Sequence, residues 1–189
     1  MERFLLILLC FCLSLAGVSA KESPVRRNAV KTTFLSWFTG SCKVSWEHAV
    51  FRNQTMEMTV GYIGVGHDKF KNKPEGYTVR YAHKFMLFGN ENQLLNGFYL
   101  RPELICSRFH YDTEEFRERK LSSMGSALFT FGYQYVHRRF VVDTFLGGGY
   151  AFGDGADTDY QHGFALWNYF GRHDKNIAVT FGIKLGVSF

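Results

Sequence analysis

Residues 176–189 read NIAVTFGIKLGVSF, and nearly every second side chain along this stretch is large and apolar. The intervening side chains are small or polar, which is the two-residue period of a β-strand with one apolar face. At roughly 3.3 Å per residue the stretch spans about 45 Å, enough for a tilted strand that crosses a bilayer and continues beyond it. The stretch therefore predicts one strand of a membrane-embedded β-barrel. Its apolar face consists of Ile177, Val179, Phe181, Ile183, Leu185, Val187 and Phe189.

The same alternation recurs upstream, so the predicted fold is all-β, an eight-stranded antiparallel up-and-down transmembrane β-barrel. Bacterial barrels have an even number of strands, as this interpretation requires. Pro102 falls inside the fifth strand, and because proline removes a donor from the ladder we expect a local bulge there. The other predicted strands span 28–37, 41–51, 55–64, 77–87, 98–109, 121–135 and 140–152.

The first twenty residues resemble no part of a barrel. An apolar run over 4–16 is followed by Val18-Ser19-Ala20, the small-residue ending of a secretory signal peptide. We expect cleavage before Lys21, which leaves 21–189 as a single outer-membrane β-barrel domain. From Lys21 onwards no stretch approaches the roughly 18 consecutive apolar residues that a membrane-spanning helix needs.

Composition agrees with an exported barrel of a Gram-negative cell envelope. Aromatic residues make up 17% of the chain, with 20 Phe and 10 Tyr beside only 3 Pro, as long strands with exposed apolar surface require. The net charge of +5 is not expected to serve nucleic acid, which an exported chain rarely meets. It either attracts anionic lipid head groups or is a solvated excess at termini and turns such as Arg26-Arg27 and Arg138-Arg139.

The opposite face of the strands carries charges of both signs. An eight-stranded barrel is only wide enough to be filled by its own side chains, and buried charges must be paired. We therefore expect a salt-bridged polar network that closes the lumen, rather than a path for ions or protons. Its members are Lys43, Glu47, Glu57, Arg80, Lys84, Arg101, Glu103, Asp143 and Lys184.

The predicted barrel domain keeps two cysteines, Cys42 and Cys106, on strands two and five. Both would face outward on separate parts of the wall, whereas a disulfide needs Cα atoms within about 7 Å. We expect two unpaired thiols.

Two resemblances bear on identity. The terminal segment from Ile183 to Phe189 resembles the assembly signal by which outer-membrane barrels present their last strand to the insertion machinery. With the preceding residue of the same face included, the signal is assigned to Phe181, Ile183, Leu185, Val187 and Phe189. The segments Val30-Lys31-Thr32-Thr33-Phe34-Leu35, Val44-Ser45-Trp46-Glu47 and Asn96-Gly97-Phe98-Tyr99-Leu100 resemble an uncharacterised family of small outer-membrane barrels common in Bacteroidetes, described as a domain of unknown function. The resemblance implies fold and location but no activity and no catalytic residues.

The longest predicted loop, between strands seven and eight, offers two candidate features. Asp154, Asp157 and Asp159 could hold Ca²⁺, but their spacing is not that of an EF-hand, and a solvated turn is favoured, so neither metal nor cofactor is expected. Exposed aromatic residues on a loop can form a recognition surface or pack on the barrel rim. They are Phe164, Trp167, Tyr169 and Phe170.

Three functions stay open at this stage. The favoured one is a non-enzymatic, monomeric envelope protein with a structural or surface-interaction role, whose partners are membrane lipid, lipopolysaccharide and the insertion machinery. The second is a lipid A-modifying enzyme, because Arg80-Tyr81-Ala82-His83 resembles a stretch of lipid A deacylases; however, the spacing differs by one residue and Phe85 stands where the nucleophilic serine should be. The third is a soluble, lipocalin-like carrier of an apolar ligand, which would have to bury the aromatic face.

Overall fold

The chain folds into eight consecutive antiparallel strands that close into a barrel. The computed structural model describes residues 25–34, 36, 40–65, 73–87, 94–112, 119–153 and 177–189, so the predicted signal peptide lies outside the described residues. The predicted closed eight-stranded antiparallel barrel is confirmed. No helix long and apolar enough to cross a membrane occurs within the described residues. The strands are β1 (Asn28–Thr33), β2 (Ser41–Phe51), β3 (Gln54–Ile63), β4 (Glu75–Met86), β5 (Gly97–Asp112), β6 (Arg119–His137), β7 (Phe140–Gly153) and β8 (Ile177–Ser188).

The barrel closes where β1 pairs with β8, from Ala29 opposite Ser188 to Thr33 opposite Lys184. At one end of the barrel, two-residue turns join β2 to β3 and β6 to β7. In the second of these turns Arg138 has a φ of 53°, the left-handed conformation that tight hairpin turns demand. The same end also carries the connection 87–96 between β4 and β5, and the opposite end carries the connections 34–40, 64–74, 113–118 and 154–176.

Strand lengths differ from the sequence prediction mainly in β1, β5 and β6. The first strand ends at Thr33 rather than at 37, because the Ser36 hydroxyl donates to the Thr33 carbonyl at 2.6 Å and so gives the backbone a local alternative to the ladder. The fifth and sixth strands are longer than predicted. They pair with each other along the whole length of the fifth, from Gly97 opposite Gln134 to Asp112 opposite Arg119.

The bulge expected at Pro102 was a wrong prediction. Between β4 and β5, Ala82 lies opposite Glu103 and Phe85 lies opposite Leu100, so the register is the same on both sides of Pro102. A proline removes one donor without adding a residue, and the ladder is merely interrupted there. Pairing between β2 and β3 shifts register instead at Ala49 to Phe51, beside the two-residue turn.

Side chains alternate strictly between the inside and the outside of the barrel. The outward positions are mostly apolar, and many are exposed, such as Val60 at 59%, Leu104 at 58% and Phe129 at 56%. The inward positions of the same strands are buried, and they include every charged residue of the interior beside small residues and a few large apolar ones such as Ile105 and Leu128. This arrangement is the reverse of a soluble barrel, in which the apolar face is enclosed.

Both cysteines of the barrel are free, Cys42 half-buried on β2 and Cys106 exposed on β5. The two unpaired thiols are therefore confirmed for the part of the chain that the structure describes.

Candidate functional site

The most highly charged part of the interior is centred on Lys31, an inward-facing residue of β1 with 1% of its surface exposed. Its Nζ lies 2.6 Å from Glu47 Oε2 and 2.8 Å from Asp143 Oδ2, and it also contacts Glu57. A further bond reaches Gln134 Oε1 at 3.1 Å. One ammonium group thus meets three carboxylates from β2, β3 and β7.

A second ammonium group, that of Lys84 on β4, contacts the same acceptors from the other side. Its Nζ lies 2.7 Å from Asp143 Oδ2 and 3.3 Å from both Glu47 Oε1 and Glu57 Oε2, and it donates to Gln134 Oε1 at 2.7 Å. Paired charges with this many hydrogen bonds are the form in which buried ions are stable.

Hydroxyl groups complete the acceptors of this cluster. The Tyr99 hydroxyl donates to Asp143 Oδ1 at 2.5 Å, and the Thr55 hydroxyl donates to Glu47 Oε1 at 2.6 Å. Each of these carboxylates therefore receives bonds on both oxygens, which holds its orientation fixed.

A neighbouring cluster is built on Glu103 of β5. Its Oε1 lies 3.1 Å from Arg80 Nη1 and its Oε2 lies 2.8 Å from Arg101 Nη2.

The Arg101 side chain has two further contacts. Its Nε donates to Thr130 Oγ1 at 2.9 Å, and its guanidinium lies 4.3 Å from the centre of the Phe145 ring. The same ring lies 5.2 Å from Lys184 Nζ, a geometry in which an aromatic face attracts a cation.

The two clusters are joined through Glu57. Its Oε1 contacts Lys184 of β8 and lies 3.8 Å from Arg101 Nη1. Lys43 is buried on the same interior face. Its side chain packs over Gly61, where an added Cβ atom would lie only 2.8 Å from Lys43 Cγ. All nine residues of the predicted network are thus buried in the interior. Ion pairs through Lys31, Glu57 and Glu103 connect the lysines 84 and 184, the arginines 80 and 101 and the four carboxylates into one network.

Apolar layers lie on both sides of the charged band. On β7, Val141 precedes Asp143 and Ala151 follows it, and each belongs to a different buried apolar cluster. Toward the end with the two-residue turns, the layer consists of Ala29, Ala49, Leu94, Leu95 and Val141. Toward the other end it consists of Ile105, Met124, Leu128, Ala151 and Ala178, followed by Ile63 and Phe109.

Carboxylate oxygens of Glu47, Glu57 and Asp143 all lie within 4.8 Å of one another, a spacing that would suit a hard cation. The ammonium groups of Lys31 and Lys84 already contact these oxygens. A divalent ion would have to displace both lysines, so the three carboxylates with their two lysines do not form a metal site.

Sequence reasoning missed Lys31, Gln134 and Tyr99 as parts of the network. The two faces of the first strand are poorly separated in sequence, because Lys31 has Val30 and Thr32 as neighbours and only Ala29 before it on its own face. The alternation of side chains along the strand was the available signal. It places Lys31 on the inward face beside the strand that carries Glu47, and a buried lysine needs a carboxylate partner. Gln134 and Tyr99 were on the correct face but carry no charge to single them out.

The other candidate residues lie apart from the network. The terminal-strand residues Ile183, Leu185, Val187 and Phe181 face outward on β8, and Phe189 is 58% exposed. Phe164, Trp167, Tyr169, Phe170 and the aspartates 154, 157 and 159 fall outside the described residues. His83 faces outward on β4, where it is half-buried and its Nε2 lies 3.1 Å from Gln54 Oε1.

Comparison with known protein families finds a match over most of the chain. The model of a family described as "Protein of unknown function (DUF3575)" covers residues 4–188 of the chain. No curated protein matched the chain, and no solved structure did.

Proposed function

Since the chain belongs to the DUF3575 family, whose description carries no activity, we propose a function from the geometry: a small outer-membrane β-barrel with a closed lumen and a structural or surface-interaction role. The observation that carries the proposal is the inverted distribution of side chains, with charges inside and apolar residues outside.

The exterior supports a membrane location. Tyr62, Tyr77, Tyr81, Tyr133 and Tyr135 are exposed on the outer wall among apolar side chains. Exposed apolar surface on this scale is unfavourable in water, whereas hydrocarbon accepts it, and amphipathic rings favour the boundary between lipid and water. The end with longer connections would then face outward from the cell, and the two-residue turns would face the periplasm.

The interior supports a barrel that does not conduct. Lys31, Lys84 and Arg101 fill the cross-section together with their carboxylate partners, and apolar layers lie on either side of them. A water-filled channel needs a wider barrel than eight strands provide. The same interior argues against a carrier of an apolar ligand, which would need an apolar cavity in place of this network.

Surface interaction is assigned to the longer connections, and in particular to the segment that contains Phe164, Trp167, Tyr169 and Phe170. Its partner would be lipopolysaccharide or another surface molecule, and the barrel would act as a monomeric scaffold. The outward face of β8, ending in Phe189, would serve recognition by the insertion machinery.

The test is to express the full chain with its first twenty residues in a Gram-negative host and fractionate the envelope. We expect the folded protein in the outer-membrane fraction, with faster gel mobility before boiling than after it. In a planar bilayer it should give no steady open-pore current. Recovery in the soluble fraction without detergent would overturn the membrane location, and large stable conductance would overturn the closed lumen.

A further inference from the structure

A groove with a volume of about 620 Å³ crosses the outer wall of the barrel from β4 to β7. Its floor is formed by backbone and by three small outward residues on adjacent strands, Pro102, Ala127 and Gly148. Leu104 and Phe129 stand beside this floor and are 58% and 56% exposed. The floor is therefore recessed below long apolar side chains, and we refer to this feature as the wall groove.

The register of the sheet explains why the groove is open. Ala127 lies opposite Leu104 on one side and Tyr150 on the other, and Phe129 lies opposite both Pro102 and Gly148. Small residues thus alternate with large ones across three strands. An added Cβ atom at Gly148 would meet a single atom within 4 Å, the Ala178 carbonyl oxygen at 3.1 Å. The space above this glycine is consequently not filled by side chains of the barrel itself.

The wall groove runs obliquely between the two ends of the barrel. His83, at its β4 side, lies close to Met86, where β4 ends beside the two-residue turns. Gly148, at its β7 side, lies closer to Gly153, where β7 ends at the opposite end of the barrel. Tilted strands produce such a diagonal, because residues paired across the sheet lie at different depths in the bilayer.

Hydrogen-bonding side chains cluster at the end of the groove that is near the two-residue turns. His83 Nε2 lies 3.1 Å from Gln54 Oε1, and His83 Nδ1 lies 3.5 Å from the Tyr81 hydroxyl. Gln54 is the first residue of β3 and follows a two-residue turn directly. The groove thus combines an apolar length with a polar group at the depth where hydrocarbon meets head groups.

Size and chemistry together favour a lipid as the occupant. The volume of about 620 Å³ is within the roughly 300–1,000 Å³ of sites that hold small molecules. Eleven residues line the groove, whereas a specific protein interface uses roughly 20–30 residues on each side. A second barrel would therefore rest mainly on the raised wall and leave the recessed floor unfilled.

We propose that the wall groove binds one acyl chain of a glycerophospholipid from the leaflet that faces the two-residue turns, with the ester and phosphate oxygens of that lipid beside Gln54 and His83. The Gln54 amide supplies N–H donors for such oxygens. Within hydrocarbon an acyl chain gains nothing by leaving water, so close packing and hydrogen bonds provide the preference for the groove. The inference rests on the proposed membrane location and adds a ligand class and a defined site to it.

The experiment uses the full chain folded in detergent micelles that contain equal amounts of a saturated phosphatidylethanolamine and a rough-type lipopolysaccharide. Native mass spectrometry measures which lipid remains bound, and how many copies, after release from the micelle. The groove variant is A127W, which places an indole ring over the floor. The matched control is T144W, which adds the same ring at an exposed position of β7 outside the groove. A third variant, H83L, removes the imidazole.

The wild type and T144W should each retain one phosphatidylethanolamine, and A127W should lose it because the ring occupies the site of the chain. A hydrogen bond within a bilayer contributes about a threefold change in affinity, so H83L should retain the lipid about threefold less well.

A phosphatidylethanolamine with a diazirine on one acyl chain locates the bound chain. Cross-linking to Leu104 and Phe129 should saturate at one lipid per barrel. At Leu146 and Phe131, which are exposed outside the groove, cross-linking should continue to rise as lipid is added.

Equal retention by the wild type and A127W would overturn the proposal, as would an equal loss in T144W. Retention of lipopolysaccharide in place of phosphatidylethanolamine would overturn the choice of lipid, and undiminished retention by H83L would overturn the position of its head group. A dimer that A127W converts to a monomer would identify a second copy as the occupant and would also overturn it. Heat-modifiable gel mobility is measured on each sample. A chain that fails to fold in detergent contradicts the membrane barrel itself, whereas a folded chain that retains no lipid contradicts only the wall groove.

Discussion

Lys31 Nζ lies 2.8 Å from Asp143 Oδ2, and the two residues are separated by 112 positions in sequence. The bond joins the first strand to the seventh inside the barrel, and the same amine also contacts Glu47 and Glu57. A single side chain of β1 is therefore tied through charge to three other strands, β2, β3 and β7.

Replacing Lys31 with methionine should destabilise the barrel by about 3–5 kcal/mol, because three buried carboxylates would lose a shared cation. Unfolding in urea, followed by tryptophan fluorescence in micelles, measures the change. Lys120→Met removes an exposed lysine at the start of β6 and should leave the midpoint unchanged. Equal stability of Lys31→Met and wild type would show that the network does not hold the barrel together.

Tyr99→Phe should cost about 1–3 kcal/mol, because Asp143 would lose a buried hydrogen bond to a charged acceptor. The ring would remain, so packing against Lys84, whose Nζ lies 4.4 Å from its centre, should persist. The matched control is Tyr133→Phe on the outer wall, and the same urea titration compares the two variants. An effect of Tyr133→Phe as large as that of Tyr99→Phe would contradict the assignment.

Gly149→Ala should disrupt the pairing of β6 with β7, whereas Gly148→Ala should cost much less. A Cβ on Gly149 would lie 2.0 Å from the Ala127 carbonyl oxygen, which is backbone and cannot rotate away. At Gly148 the nearest atom is the Ala178 carbonyl oxygen at 3.1 Å. We expect a loss of roughly 3 kcal/mol in the first variant. Folding yield, read as the fraction with heat-modifiable mobility, provides the measurement, and equal yields would contradict the close strand approach.

Cysteine labelling distinguishes hydrocarbon from water at the outer wall. In a Cys42→Ser, Cys106→Ser background, Leu104→Cys should resist a membrane-impermeant maleimide when the protein is in vesicles. Lys120→Cys, at the start of β6, should react. Leu104 is 58% exposed on the barrel surface, so protection can come only from surrounding lipid. Comparable labelling at both positions would place the outer wall in water.

The fold could be predicted from sequence because the period of side-chain alternation is strong where one face is uniformly apolar, as in β8. The predicted strand 41–51 has the same bounds as β2. Strand ends were less predictable because they depend on partners: Arg119 and Asp112 are in strands because they pair with each other. Pro102 was misjudged because a missing amide donor does not by itself require an extra residue.

An interior residue could be predicted from sequence wherever a charged side chain falls on the face opposite the apolar one, as at Glu57 and Lys84. The pattern of contacts could not, because it depends on which strands face each other across the lumen. Lys31 shows the difficulty: its strand is only 6 residues long, too short for alternation to identify its inward face with certainty. Its central role became visible only when β2, β3 and β7 were placed around it.

The residue at the centre of the network belongs to the strand that completes the cylinder. Without the pairing of β1 with β8, Lys31 remains beside Glu47 of its neighbour β2, but Asp143 of β7 lies beyond the open seam. Closing the seam and completing the Lys31–Asp143 ion pair are consequently one event. That bond ties correct strand order to completion of the barrel.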